Sequence, residues 1–353
     1  MQPFVYTASP VRVIFGFGTL GELSAEVDRL GLKRILVLST PNGEARAKSL
    51  SVQLGDRSCG IYAGAIMHTP IAVTQDALRI VSRHGADGIV AIGGGSTTGL
   101  GKALAWRAGI KQIVVPTTYS GSEMTPILGE TVNGSKVTRS DPKILPDTVI
   151  YDVDLTLSLS PTLSATSGIN AIAHAVEALY AHNRDPITSL MALEAIHVMY
   201  HALPAIAADA GNRSSRSDAL YAAWLCGACL GSVGMSLHHK LCHTLGGSFK
   251  LPHAETHTVV LPHALAYNAP AIPEIMTQLN RTLDVPDAAQ ALYDLAGRLG
   301  AVRSLAALGM RDDGIDRAAD EAMASPYWNP RELRRDTIRD LIARAHAGSA
   351  PLS

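Results

Sequence analysis

The chain of 353 residues carries 30 Lys and Arg against 31 Asp and Glu, a formal net charge of −1, with no basic block, so nucleic acid and anionic membranes are poor partners. At 47% hydrophobic, 5% aromatic and 31 glycines, it is composed like a soluble α/β or α-rich enzyme packed with small side chains, and a disordered or fibrous chain is excluded. Two domains are the default for this length, and the ligand should be small.

The start, MQPFVYTASPVRVIF, lacks the basic end and apolar core of a signal peptide. Cys59, Cys226, Cys229 and Cys242 are read as free thiols of a reducing, cytoplasmic compartment. Strands and helices then alternate. Residues 11–15 form a short strand that turns at Gly16 and Gly18 into a helix through Leu20, Leu23, Val27 and Leu30. Residues 34–38 are apolar on both faces, as in a parallel sheet, and a turn of Ser39, Thr40, Pro41, Asn42 and Gly43 follows. A helix over 45–54, a strand over 60–66 and a helix over 73–84 continue the pattern.

The strand at 88–92 runs directly into Gly93, Gly94, Gly95 and Ser96. A strand, a glycine turn and a helix N-terminus present bare backbone N–H groups to an anion, although a plain tight turn reads the same way. A second strand at 112–115 ends in the hydroxyl-rich loop Pro116 to Ser122, which includes Thr117, Thr118 and Ser122. Both loops belong at the carboxyl end of the sheet, where a dinucleotide fits. The GxGxxG fingerprint with its following acidic residue is absent. Where that residue would hold the adenosine ribose stand Ser39 and Thr40, with Asn42 behind them, so NADPH is expected to be tolerated as well as NADH.

A strand at 148–152 closes the first half, an α/β domain assigned to residues 1–155. The second half, 156–353, reads as all-helical, beginning with Ser160 as cap and Pro161 as first helical residue. Helical periodicity covers 168–180, 186–200, 215–231, 238–245, 286–299, 304–308, 315–323 and 330–346, the last with Asn329 as cap and Pro330 at its first turn. The uncharged run 219–237 is long enough to raise a membrane span, but Gly227, Gly231 and Gly234 suit close packing inside a protein.

Six of the thirteen histidines fall between Ser236 and His263. His239 and His243 are four apart on a helix that Gly246 and Gly247 should end, and His253 follows Pro252 in a loop. Asn170 and His174, also four apart, share a helix face with Glu177 one turn on. Converging imidazoles suit a metal, a proton relay or an anionic substrate.

These strings resemble the iron-containing (group III) alcohol dehydrogenase superfamily over nearly the whole chain. Its members join an α/β dinucleotide domain to a helical domain and hold a divalent metal through an Asp and a His four apart and two further histidines. The matching positions here are Asn170, His174, His239 and His253, with His243 at the non-ligand histidine; Gly93 to Ser96, Lys102 and the Pro116 loop match the cofactor region. Two departures matter: Asn170 replaces the one anionic ligand, and Gly99 stands where the glycine-turn helix usually carries Asp. Fe²⁺ favours an oxygen anion, so metal is expected to be dispensable, although three imidazoles still suit zinc.

IGGGSTTGLGKA, GINAIAHAVEALYA and LHHKLCHTLGGSFKLPHAETH look like the Asn-type branch, the maleylacetate reductases of bacterial aromatic catabolism, which use NAD(P)H without a metal. The resemblance implies a cytoplasmic homodimer that reduces the double bond of a dicarboxylate, maleylacetate, to 3-oxoadipate. Hydride on the alkene carbon β to the ketone leaves an enolate, for which His174, His239 or His253 would donate hydrogen bonds while His243 supplies the proton. Asn170, His238 and Lys240 are the candidates for holding the substrate. A metal-dependent alcohol dehydrogenase, with Asn170 ligating through its amide oxygen, is the alternative; a non-catalytic dinucleotide-binding relic is a third reading.

Overall fold

The computed structural model describes residues 3–325 and 327–352. It divides into two compact units, residues 8–159 and residues 160–352 together with 3–7. The first runs β1 (Arg12–Gly16), α1 (Leu23–Arg29), β2 (Ile35–Leu38), α2 (Glu44–Leu54), β3 (Ser58–Tyr62), α3 (Ile71–His84), β4 (Gly88–Gly93), α4 (Gly95–Ala108), β5 (Lys111–Pro116), β6 (Ile127–Val132), β7 (Ser135–Ser140) and β8 (Thr148–Asp152). Six strands make one sheet in the order β1-β8-β5-β4-β2-β3, every neighbouring pair parallel. The expected α/β architecture is therefore present, and its apolar strands are buried on both faces: Ile35, Leu36, Val37, Leu38 and Ile113, Val114, Val115 are all fully enclosed.

The antiparallel hairpin β6-β7 was not among the predicted elements. Its signal was present all the same: Asn133 and Gly134 take positive φ values of 50° and 78°, as a two-residue turn between twisted strands requires.

The second unit is helical: α5 (Pro161–Leu179), α6 (Pro186–Ala208), α7 (Arg213–Ser232), α8 (Leu237–Ser248), α9 (His253–Asn268), α10 (Pro273–Leu283), α11 (Ala288–Arg298), α12 (Ile315–Met323) and α13 (Arg335–Ala347). Ser160 does cap α5, its Oγ accepting from Leu163 N at 3.3 Å, with Pro161 in the first turn. The apolar helices α5, α6 and α7 pack on one another. By length and composition α6 would pass for a membrane span, and α7 with α8 would too but for a 96° bend between them. Here α6 serves as a packing partner of α5 and α7.

Four expectations need correction. Gly246 and Gly247 do not end the histidine helix, because α8 continues to Ser248 and Phe249 N still bonds Leu245 O. His253 is not in a loop but is the first residue of α9, with Pro252 at the cap position. Nothing predicted α9 because it is buried from Thr256 to Asn268 on every side and contains Pro262, so it shows neither an apolar stripe nor a clean composition. Residues 304–308 are turns rather than helix, tied to α13 through Leu305 N to Ala345 O at 3.0 Å. Finally, α13 starts at Arg335, and Asn329 caps nothing: it exchanges amide hydrogen bonds of 3.1 and 2.8 Å with Asn268 on α9.

Candidate active site

In the first unit the glycine turn connects β4 to α4. Gly93 has φ 153°, and a Cβ there would run into Thr97 Oγ1; one on Gly94 would lie 2.9 Å from Thr118 Oγ1. No side chain caps α4 at Gly94, while Thr97 N and Thr98 N both bond Gly94 O at 3.1 Å. The first N–H groups of a 14-residue helix are thus left for an outside acceptor, and above Gly95 a Cβ would meet only Ser120 at 3.9 Å. Thr117 N bonds Gly93 O at 3.0 Å, stitching the hydroxyl loop to the turn. The backbone of this cradle suits a phosphate.

Lys102 was expected at the cofactor, and the fold gives it other partners. It is fully buried, and its Nζ donates to Ser122 O, to Thr125 Oγ1 at 2.9 Å and to Ile127 O at 3.0 Å. Burial lowers its pKa to about 7, against the pull of Glu123. Glu123, raised by burial, accepts from Tyr151 Oη at 2.9 Å and Ser120 Oγ at 3.1 Å. Lys102 and Glu123 together therefore shape the loop that bears Thr117, Thr118 and Ser122. Ser39 is also fully enclosed, its backbone bonded to Tyr62 O and Ala65 N, while Asn42 is exposed. Gly99 leaves no vacancy for the missing Asp, because a Cβ there would be 2.5 Å from Thr69 Oγ1.

In the second unit, α5 presents Asn170, His174 and Glu177 towards α8. Glu177 is fully buried and accepts four hydrogen bonds: Ser236 N at 3.0 Å, Ser236 Oγ at 3.0 Å, His238 N at 2.7 Å and His239 Nδ1 at 2.6 Å. Burial alone would raise its pKa, but the His239 charge, the His239 hydrogen bond and the donors at the start of α8 prevail and bring it to about 2. His239 Nε2 lies 2.9 Å from His174 Nδ1, and Asn170 Nδ2 lies 3.5 Å from His174 Nε2. Glu177, His239, His174 and Asn170 form one buried string, and Asn170 Oδ1 is buried with no hydrogen-bond partner.

His238 belongs to a second string, away from the substrate-facing role expected of it. It is fully buried, with Nε2 2.9 Å from His257 Nδ1 and 3.7 Å from Cys242 Sγ. Burial lowers both rings, His238 to about 3 and His257 well below the ordinary imidazole range, and the neighbouring imidazoles add to the effect. The sequence reading missed His257 because α9 went unread; the spacing of four from His253 was the available signal, and their ring centroids are 4.4 Å apart. His243, 6.2 Å from His239 by ring centroids, and His253 are only half-buried, so they are the imidazoles of the cluster nearest to solvent. Lys240 is half-buried, its Nζ 5.6 Å from the Tyr327 ring centre. His263 is separate, packed on Tyr293 with its pKa lowered to about 4, first by burial and then by Arg344.

Proteins of known sequence and structure match this chain through both units. Residues 10–153 match the iron-containing alcohol dehydrogenase family and residues 164–346 its C-terminal part. A maleylacetate reductase from Rhizobium sp. strain MTP-10005 is 53% identical over 351 residues, covering 99% of this chain and 100% of that one. The crystal structure of maleylacetate reductase from Agrobacterium tumefaciens superposes with a TM-score of 0.96 at 53% identity, over 99% and 100% of the two chains. An iron-containing alcohol dehydrogenase from Corynebacterium glutamicum superposes with a TM-score of 0.93 at 36% identity, over 98% and 97%. With both family segments matched and half of all residues shared with full-length relatives, the chain belongs to the iron-containing alcohol dehydrogenase family.

Proposed function

We propose that this chain reduces the carbon–carbon double bond of maleylacetate to 3-oxoadipate with NADH or NADPH, without a catalytic metal, as a cytoplasmic homodimer. The likeness to maleylacetate reductases along the whole chain supports the substrate. The observation that carries the metal-free part is the donor set: Asn170, His174, His239 and His253 include no anion, and the buried carboxylate of Glu177 is already bonded to the far nitrogen of His239. His239 Nε2 and His174 Nδ1 are bonded to each other at 2.9 Å. Such a set fits Fe²⁺ poorly.

When bound, the nicotinamide would supply a hydride for the alkene carbon β to the ketone, and the electron pair would come to rest on the ketone oxygen as an enolate. His253, half-buried at the first turn of α9, donates to that oxygen, an N–H that is worth most where water is excluded. His243 delivers the proton to the carbon next to the ketone, which returns the carbonyl and completes 3-oxoadipate. His174 and His239, engaged with each other, form the rigid wall behind these groups. Lys240 faces one of the two carboxylates. Gly93 to Ser96 would hold the cofactor pyrophosphate through backbone N–H groups, with Thr117, Thr118 and Ser122 beside them.

One observation favours the metal-dependent alternative: Asn170 Oδ1 is a buried acceptor without a partner, as a neutral ligand to a cation would be. A chelator-treated, metal-analysed preparation assayed for NADH oxidation with maleylacetate, beside a simple aldehyde, separates the two. Full activity on maleylacetate at substoichiometric metal is the expected result. Activity that disappears on chelation and returns with Fe²⁺ or Zn²⁺ would overturn the metal-free reading.

A further inference from the structure

We infer that Glu177 is a positioning residue for this reduction: by accepting from His239 Nδ1 it fixes the tautomers of both His239 and His174, so that neither ring can turn an N–H toward the substrate. The inference rests on the reductase reading and adds to it an assignment of which histidines do chemistry and which hold shape.

The argument follows the hydrogens. Two of the four donors to Glu177, Ser236 N and His238 N, are backbone amides that cannot reverse, so the carboxylate is locked as an acceptor on both oxygens. His239 Nδ1, 2.6 Å from Oε2, must then carry the hydrogen. In the neutral ring that leaves His239 Nε2 as a lone pair, and its partner 2.9 Å away, His174 Nδ1, must donate to it. His174 Nε2 is in turn a lone pair, facing the amide nitrogen of Asn170 at 3.5 Å. Every N–H in the string therefore points toward Glu177. A glutamine with its carbonyl at the Oε1 position would still accept from Ser236 Oγ and His238 N, but its NH₂ would take the Oε2 position, forfeit the bond from Ser236 N, face His239 Nδ1 and invert the string.

The wild-type protein tests this first. Histidine ¹⁵N–¹H spectra should place the His239 proton on Nδ1 and leave Nε2 bare; the opposite tautomer would overturn the proposal with no variant needed. In Glu177→Gln, the His239 tautomer should invert and kcat with maleylacetate should fall roughly 10- to 100-fold, the range for removing a group that orients a functional histidine. The KM for NADH should stay within about twofold. Ser236→Ala is the control, since it removes a hydroxyl donor from the same carboxylate and leaves the His239 bond in place; its kcat should remain near wild type. A Glu177→Gln enzyme with inverted tautomers and undiminished kcat would sink the idea. So would a Ser236→Ala enzyme as impaired as Glu177→Gln, because the carboxylate would then be acting only as a cap for α8. If the wild type does not turn over maleylacetate, the reductase reading fails by itself, and the tautomer spectra still decide whether Glu177 sets the string.

Discussion

At the scale of single residues, the seven histidines of α5, α8 and α9 differ by what lies next to each ring. His238 and His239 are adjacent in sequence, yet His238 is sealed against His257 and Cys242 while His239 is held between Glu177 and His174. His243→Ala should therefore lower kcat about 10²- to 10⁴-fold, the usual loss for a general acid, with little change in the KM for NADH in steady-state assays. Asn170→Asp should restore an anionic donor four residues from His174, and the purified variant should retain divalent metal by elemental analysis where the parent does not. If Asn170→Asp stays as metal-poor as its parent, the carboxylate is not what this site lacks.

At the scale of elements, the glycine turn and its neighbouring loop are held by buried polar contacts that can be broken separately. Gly93→Ala should raise the KM for NADH tenfold or more, about 1.4 kcal/mol of binding, because φ 153° and the Thr97 hydroxyl leave no place for a Cβ. Lys102→Met should destabilise the first unit by roughly 2–4 kcal/mol in urea unfolding, since Ser122 O and Ile127 O lose their buried donor. Glu26 fastens α1 to β1 and β8 through Arg12 Nε at 3.0 Å, Arg29 Nε at 2.8 Å and Thr148 Oγ1 at 3.0 Å. Burial by itself would raise its carboxyl pKa, but those three donors leave it below the ordinary 4.5. A carboxyl whose folded pKa is depressed adds stability above its unfolded pKa, and this is lost as pH falls through the folded value. Unfolding midpoints of wild type and Glu26→Gln should accordingly differ at pH 7 and converge as the pH drops below about 4.5.

At this same scale, what could be read from the chain depended on whether an element announces itself. The strands 34–38, 88–92 and 148–152 were legible because residues buried on both faces make continuous apolar runs, and α5 was legible because Ser160 and Pro161 mark its start. The helix α9 was not, because full burial erases the stripe that identifies a surface helix. Asn133-Gly134 announced a hairpin that went unread, and Asn329-Pro330 announced a cap that tertiary contact with Asn268 took over.

At the scale of the whole molecule, the chain's stability should depend on the dinucleotide and not on metal. NADH at a hundred times its Kd should add about 2.7 kcal/mol to the folded state, seen as a raised thermal midpoint, whereas a chelator should leave the midpoint unmoved. A midpoint that falls on chelation would assign a structural ion to the protein.

The sequence by itself determined the parallel α/β half, the helical half, the glycine turn and the histidine-rich stretch, because each follows from local period, local punctuation or simple abundance. It also carried the pairing of Asn170 with His174 four residues on, which the family resemblance reads as a site without its anionic ligand. Only the tertiary structure decided what each of those residues faces. Lys102 turns from α4 into the segment from Ser122 to Ile127, Ser39 lies buried in its turn, and Glu177 orders a hydrogen-bond string across 62 residues to His239. Those outcomes depend on which donors long-range packing brings within about 3 Å of a buried acceptor, a distance that no local pattern encodes.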